Sequence, residues 1–276
     1  MEKRFTGTVV RATGSWYDVL HDGEVVRCRI RGRLRLRGVR STNPVVVGDR
    51  VEYEQPEGAT GVVTKILPRR NYIIRRASNL SKESHIIAAN VDQAFLVVSL
   101  FLPSTNCEFI DRFLVTAEAY RIPVTLLLNK CDLYATDALQ DAQTEFLKIY
   151  RSAGYEVIEL SATQQTGIDA FKKMLPGKTS LLSGNSGVGK STLIRAIDPS
   201  LDIRIGAVSA SSSKGKHTTT FSEMYPLAGG GYLIDTPGIK GFGLIDIEND
   251  EICRYFPDLF RYAPRCGYYN CTHTHE

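Results

Sequence analysis

The sequence predicts an α/β domain with a mostly parallel sheet, which follows a small all-β barrel and precedes a short tail. Three observations support this prediction. Short apolar runs separated by Gly, Pro and Asp fill the first 76 residues, as in small barrels. From Val91 onward, buried-type strands alternate with helical segments, which is typical of parallel sheets covered on both faces. The last eleven residues contain two cysteines and two histidines.

We therefore place the barrel at 1–76, a linker at 77–89, the α/β domain at 90–244 and the tail at 245–276. With 43% hydrophobic and 23% charged residues, the composition is that of a soluble globular protein. No apolar run approaches the roughly 20 residues needed to span a bilayer, and the first residues lack an apolar signal core. We expect a cytoplasmic monomer with no membrane partner, whose six cysteines serve packing or metal binding rather than disulfides.

The charge of the chain is unevenly distributed. Residues 1–76 carry 16 Lys and Arg against 8 Asp and Glu, whereas the rest carries 18 against 22. Such a split favours a basic module that binds a polyanion, joined to a nearly neutral domain.

Much of this charge lies in the stretch EVVRCRIRGRLRLR, where arginines occupy alternate positions. Side chains alternate between the two faces of a strand, so all six arginines point the same way. They are Arg27, Arg29, Arg31, Arg33, Arg35 and Arg37. A solvated strand face is the alternative interpretation. Six like charges without an intervening acid favour a face that binds nucleic acid, and RNA in particular.

A complete G-x-x-x-x-G-K-S phosphate loop follows the strand-like TSLLS and precedes the helical STLIRAI, the context that this motif requires. Its backbone N–H groups would surround phosphates at the N-terminus of the helix. Lys190 would reach the β- and γ-phosphates during catalysis, and Ser191 would bind Mg²⁺. The loop residues expected to bind nucleotide are Gly184, Asn185, Ser186, Gly187, Val188, Gly189, Lys190, Ser191 and Thr192.

Two later segments would complete the metal site. Asp235 begins the sequence DTPG after the apolar strand GYLI, where it can hold Mg²⁺ through water while the N–H of Gly238 meets the γ-phosphate. The sequence HTTT, with Thr218 and Thr219, lies between the phosphate loop and DTPG. These threonines are placed to close on Mg²⁺, although a Ser/Thr-rich surface loop is the alternative interpretation.

The stretch LLNKCDL indicates which base is bound. Asn129, Lys130 and Asp132 fit the N-K-x-D pattern and end a buried strand, where ligand sites of α/β sheets lie. Ser161, Ala162 and Thr163 end the next strand and match the S-A-[KLT] element that backs the base. Asp132 can accept hydrogen bonds from guanine N1–H and its 2-amino group, which adenine lacks. This pattern normally follows the phosphate loop but here precedes it, so the sequence predicts a circularly permuted domain, which a sheet tolerates when the chain is cut at its surface.

The tail contains a C-x-x-x-x-C-x-H pattern formed by Cys266, Cys271 and His273. These are zinc-type ligands, and a structural zinc site needs four. His275 and Cys253 are both candidates for the fourth. The alternative is a tail whose cysteines and histidines bind no metal.

A basic barrel, the order NKCD, SAT, GNSGVGKST, HTTT and DTPG, and a Cys/His tail together resemble the bacterial ribosome-small-subunit-dependent GTPase A family over the whole chain. The resemblance implies an OB-fold, a permuted GTPase domain that uses Mg²⁺, and a helical tail with one structural Zn²⁺. It implies binding of GTP and GDP and of 16S rRNA. It also implies action late in 30S ribosomal subunit maturation, with hydrolysis stimulated by that subunit. The family pattern places one more cysteine past Glu276, which predicts that the chain is clipped there.

Position 239, directly after DTPG, is Ile, where many GTPases carry the Gln that orients the attacking water. Isoleucine cannot hydrogen-bond to water. The resemblance implies slow hydrolysis by the free protein and a catalytic group positioned by the ribosome, for which His217 is the candidate.

Two other classes of function are the alternatives. One is a structural RNA-binding module that a bound nucleotide merely stabilises. Ser191 and Asp235 argue against it, because both are suited to binding Mg²⁺ for GTP hydrolysis. The other is an enzyme that uses ATP as donor, and Asp132 argues against ATP.

Overall fold

The computed structural model describes residues 4–30, 44–56, 60–76, 84–201, 222–238, 242–245, 247–249, 251–268 and 271. The first strands are β1 (Arg4–Thr13), β2 (Trp16–His21), β3 (Glu24–Ile30), β4 (Arg50–Glu54) and β5 (Gly61–Ile66). They run in the order β1-β2-β3-β5-β4, and β4 pairs back onto β1. Alternate residues such as Val9, Val19 and Tyr53 fill the interior, as the side-chain alternation of strands requires. The predicted small β-barrel is confirmed.

A hairpin follows the barrel, formed by β6 (Tyr72–Arg76) and β7 (Ser84–Ala89). From the sequence, β6 was expected to belong to the barrel segment and 77–89 to be a linker. A strand forms instead at β7 because Ile86, Ile87 and both following alanines are buried. Burial of those apolar side chains is favourable only if their backbone N–H and C=O groups are paired, which β6 provides.

In the part of the α/β domain that the structure describes, six strands and four helices precede the tail. They are β8 (Gln93–Val98), α1 (Cys107–Ala119), β9 (Val124–Leu128), α2 (Asp137–Ala153), β10 (Glu156–Glu159), α3 (Ile168–Lys173), β11 (Thr179–Gly184), α4 (Lys190–Ile197), β12 (Glu223–Pro226) and β13 (Tyr232–Asp235). The strands lie in the order β10-β9-β8-β11-β13-β12, and all neighbours are parallel except β12. Apolar clusters cover both faces, so the predicted parallel sheet is confirmed.

Strand β12 lies at the boundary between the two domains, and the sequence pattern did not predict it. It pairs with β13 on one side and with β1 on the other, where Arg11 lies opposite Glu223. The barrel and the α/β domain therefore share one sheet, to which the described residues contribute eleven strands.

A second connection joins the domains through three consecutive valines. Val45 packs in the barrel, Val46 against the β6–β7 hairpin and Val47 in the α/β core. Gly48 follows with a φ of 90°, and a Cβ there would lie 2.0 Å from the carbonyl oxygen of Ala89. No other residue fits this position without a backbone shift. These contacts fix the barrel on the α/β domain.

The tail contains a short 3-10 turn at Ile252–Tyr255, α5 (Pro257–Tyr262) and another 3-10 turn at Ala263–Arg265. The first turn packs on α1, and α5 packs on α2. Within the part of the chain that the structure describes, no helix has the length and apolar character needed to cross a membrane.

Candidate guanine-nucleotide site

The phosphate loop connects β11 to α4 as predicted, with Gly189 at the position before the helix. Gly184 and Gly189 have φ angles of 147° and 102°. A Cβ on either would lie 2.4 Å from a neighbouring atom, namely the carbonyl oxygen of Val97 or the side-chain nitrogen of Asn129. Only glycine fits at these two places. The loop therefore curls closely over the sheet and places its N–H groups at the positive end of α4, where phosphate binds.

Lys190 is buried within this loop, with 8% of its surface exposed. Its Nζ donates to the carbonyl oxygens of Gly184 at 2.8 Å and Asn185 at 3.1 Å. Burial lowers the pKa of Lys190 to about 8, and the nearby Asp235 carboxylate acts in the opposite direction. A desolvated cation gains most from an anionic ligand, so this position favours phosphate oxygens.

Asn129 joins the end of β9 to the phosphate loop. It is 1% exposed, and its Nδ2 donates to the carbonyl oxygen of Val188 at 2.8 Å. Its Oδ1 accepts from the backbone N–H of Ala162 at 3.2 Å. One side chain thus holds together the three segments that the sequence assigns to the nucleotide: NKCD, SAT and the phosphate loop.

Lys130 makes a second link between the same segments. Its backbone is left-handed, with a φ of 66°, and its Nζ donates to the carbonyl oxygen of Gly187 at 2.9 Å and to that of Leu102. Burial lowers the pKa of Lys130, whereas the Asp132 carboxylate raises it. The loop after β8 is therefore part of the site wall.

The two carboxylate oxygens of Asp132 have different surroundings. Its Oδ2 accepts from the hydroxyl of Thr163 at 3.5 Å, and that hydroxyl lies 3.0 Å from the hydroxyl of Ser161. Its Oδ1 is buried and has no hydrogen-bond partner within the described residues. Buried polar atoms are normally paired, so Oδ1 suits a ligand that brings its own N–H donor, as guanine does.

The DTPG segment lies against the phosphate loop. Asp235 ends β13 and is 1% exposed, and the hydroxyl of Thr236 donates to the carbonyl oxygen of Leu182 at 3.0 Å. A Cβ on Gly238 would lie 2.8 Å from the Cα of Ser186. The backbone of Gly238 is therefore in direct contact with the loop that would hold the phosphates.

Only two of the four residues predicted to hold Mg²⁺ lie within the described residues. Ser191 lies in the first turn of α4, and Asp235 is buried beside Lys190. A hydroxyl and a carboxylate are the oxygen donors that Mg²⁺ prefers, so these two residues fit the ion. The other predicted ligands and the catalytic candidate lie outside the described residues, namely Thr218, Thr219 and His217, as does Ile239.

The predicted zinc site lies only partly within the described residues. Cys266 and Cys271 are described, whereas His273 and His275 are not. The thiol of Cys253 lies 4.0 Å from the carbonyl oxygen of Cys271. No group of three or more His, Cys, Asp or Glu side chains in the described part of the chain is arranged to hold a metal ion.

Two of the six predicted RNA-binding arginines lie on a described strand of the barrel. Arg27 and Arg29 are exposed on β3, and Asp18 lies opposite Arg27 on β2, so an acid does interrupt this face. The remaining four lie outside the described residues, namely Arg31, Arg33, Arg35 and Arg37.

Two contributors to the site, Tyr134 and Leu102, have no role predicted from the sequence, whereas a third, Thr163, belongs to the predicted SAT element. The hydroxyl of Tyr134 donates to the carbonyl oxygen of Asn129 at 2.7 Å and accepts from the N–H of Leu100 at 2.9 Å. Thr163 holds Asp132, and Leu102 offers a carbonyl to Lys130. Of these three residues, only Thr163 was indicated by the sequence, because it directly follows Ser161 and Ala162 in the SAT element. The other two act through contacts that no local pattern indicates.

The fold and this site define a circularly permuted guanine-nucleotide-binding P-loop protein. Comparison with protein families supports this class, because residues 66–245 match the RsgA GTPase and residues 6–63 match the RsgA N-terminal domain. The chain belongs to the RsgA GTPase family.

Curated relatives and solved structures agree with this assignment. The chain is 53% identical over 271 residues to the small ribosomal subunit biogenesis GTPase RsgA 2 of Bacteroides thetaiotaomicron, covering 98% of this chain and 87% of that protein. It is 51% identical over 275 residues to the small ribosomal subunit biogenesis GTPase RsgA of Christiangramia forsetii, with the same coverage. The crystal structure of YjeQ from Thermotoga maritima matches with a TM-score of 0.74 and 35% identity, covering 99% of this chain and 88% of that one. The structure of YloQ, described as a circularly permuted GTPase, matches with a TM-score of 0.68 and 30% identity, covering 99% and 85%.

Proposed function

We propose that this protein hydrolyses GTP to GDP and phosphate as an assembly factor in late maturation of the 30S ribosomal subunit. The observation that carries the proposal is Asn129, which joins the guanine motif to the phosphate loop through bonds to Val188 and Ala162. The names of the relatives supply the biological setting, since they are called small ribosomal subunit biogenesis GTPases.

The chemistry follows from the residues on the site wall. Lys190 binds the β- and γ-phosphates and neutralises charge that develops during transfer. Asp132 selects guanine, and the N–H of Gly238 would meet the γ-phosphate, which its close approach to Ser186 of the phosphate loop supports. Ser191 and Asp235, with Thr218 and Thr219, would hold Mg²⁺, which neutralises phosphate charge when bound. Isoleucine at position 239 cannot orient water, so we assign that role to His217, positioned by the small subunit.

The barrel supplies the RNA-binding surface in this proposal. We take it as an OB-type barrel that binds 16S rRNA through the arginines at alternate positions from Arg27 to Arg37, of which Arg27 and Arg29 are exposed on β3. Positive charge on an OB-type face suits an oligonucleotide.

The remaining parts of the proposal concern the tail and the setting. We propose that Cys266, Cys271 and His273 bind one structural Zn²⁺, with Cys253 or His275 as candidates for the fourth ligand. The sequence spacing and the nearness of Cys253 to Cys271 support this. Metal analysis of the purified protein tests it, and less than one zinc per two chains would contradict it.

The protein would act as a cytoplasmic monomer.

Phosphate release with and without purified 30S subunits tests the function. We expect slow release by the free protein and an increase of about 10³-fold or more with subunits, because an external group that completes a GTPase site has effects of that size. Ser191→Ala should impair the stimulated reaction, whereas Ser152→Ala, an exposed serine of α2, should not. His217→Ala should reduce stimulated release while leaving GTP affinity within about twofold. Equal rates with and without subunits would contradict the proposal.

A further inference from the structure

The only tryptophan of the chain lies on the outward face of the barrel. Trp16 is the first residue of β2, and the next residue, Tyr17, points inward and is 2% exposed. Because side chains alternate along a strand, the indole points to the opposite face from Tyr17. It is only partly buried, so it does not belong to the barrel core.

Two arginines lie over the indole ring. The guanidinium carbon of Arg29 is 3.9 Å from the ring centroid, and that of Arg27 is 4.5 Å from it. The hairpin register explains this contact, since Tyr17 lies opposite Cys28 and Trp16 is therefore next to Arg29 across the strands. The two-residue turn at Asp22 and Gly23, both with positive φ, sets that register.

This arrangement has the chemistry of a base-stacking platform. A protein that only tracks a duplex backbone needs positive charge but no exposed aromatic ring. Unpaired bases stack on aromatic rings and on guanidinium planes, and arginines beside the ring add attraction to the phosphates. The indole, Arg27 and Arg29 offer all three features in one place. Arg11 on the neighbouring strand is exposed, but it pairs with Glu223 and lies opposite Asp18.

We propose that Trp16, Arg27 and Arg29 form a stacking site for an unpaired nucleobase of RNA. This inference rests on the proposed RNA-binding role of the barrel and specifies the kind of RNA that it takes: a single-stranded or bulged nucleotide rather than a regular duplex. The two arginines hold the indole in place before RNA arrives.

The lone tryptophan gives a direct test, because its fluorescence reports on stacking at this position alone. The full-length protein is titrated at low salt with an octamer of riboadenylate and, separately, with an RNA duplex of the same length. We expect saturable quenching by the octamer and at least about threefold weaker binding of the duplex. Affinity for the octamer, measured with a labelled strand, should fall at least about fivefold in Trp16→Leu and stay within about twofold in Trp16→Phe. GDP affinity should be unchanged in both variants, which shows that they are folded.

The outcomes separate this inference from the proposed function. If Trp16→Leu binds the octamer as tightly as the unchanged protein, or if binding leaves the fluorescence unaltered, the stacking site is wrong while RNA binding by the barrel stands. If the octamer fails to bind the unchanged protein at all, both the stacking site and the RNA-binding part of the proposed function are wrong. Loss of octamer binding in Arg27→Gln and Arg29→Gln, in which Trp16 still reports, would support the site.

Discussion

The side-chain amide of Asn129 donates to the carbonyl oxygen of Val188 at 2.8 Å, across 59 positions of sequence. In most P-loop GTPases the phosphate loop comes first along the chain, whereas here it comes second. The bond shows that the reversed order leaves the local geometry intact, since β9 and β11 both flank β8 in the sheet. A parallel sheet depends on which strands are adjacent and not on where the chain is cut.

Asn129→Ala should weaken GDP binding by about tenfold or more, because it leaves the Val188 carbonyl and the Ala162 N–H without their buried partner. Fluorescent GDP titration measures this. The matched control is Asn106→Ala, which removes the helix cap of α1, and its GDP affinity should stay within about twofold. An Asn129→Ala protein that binds GDP normally would show that the two motifs do not depend on each other.

Gly238→Ala should affect the triphosphate state more than the diphosphate state. The added methyl would lie 2.8 Å from the Cα of Ser186, so the DTPG segment would have to move away from the phosphate loop. We expect GDP affinity to be retained within about threefold and subunit-stimulated phosphate release to fall at least about tenfold. Gly229→Ala is the control, because nothing lies within 4 Å of its Cβ. If Gly238→Ala released phosphate at the normal stimulated rate, the contact between Gly238 and Ser186 would have no part in GTP hydrolysis.

Arg69→Met should lower the free energy of unfolding by about 3–5 kcal/mol, because it leaves the Asp49 carboxylate buried without its counter-ion. The two side chains are 8% and 0% exposed and are joined at 2.6 and 2.7 Å. Urea denaturation measures the change. Lys65→Met breaks an exposed pair with Glu52 in the same barrel and should cost less than about 1 kcal/mol. An equal decrease in the free energy of unfolding in the two variants would contradict a structural role for the buried Arg69–Asp49 pair.

The sequence predicted the elements that have strong local signals. The phosphate loop, the buried run of β8 and the pattern of α2 each specify their structure within a few residues. The register of the β2–β3 hairpin also has a local signal, because the two-residue turn at Asp22 and Gly23 is enough to place Trp16 beside Arg29.

The elements that the sequence did not predict depend on distant partners. Strand β12 has four residues and forms because it pairs with β13 on one side and β1 on the other. The three valines at positions 45–47 look alike in sequence, yet each packs in a different core. Tyr134 supports Asn129 through a hydroxyl contact that no spacing rule indicates. Such roles are set by tertiary contacts and not by local pattern.

The most direct test of the central claim is nucleotide choice at Asp132. Competition against fluorescent GDP is measured with GDP, XDP and ADP for the unchanged protein and for Asp132→Asn. In the proposed site Asp132 would accept from the N1–H and 2-amino groups of guanine, and a bidentate contact to a base discriminates by about 1–3 kcal/mol. We expect the unchanged protein to prefer GDP over ADP at least about tenfold, and Asp132→Asn to prefer XDP over GDP. Equal affinity of the unchanged protein for ADP and GDP would contradict the claim that NKCD and the phosphate loop form one guanine site.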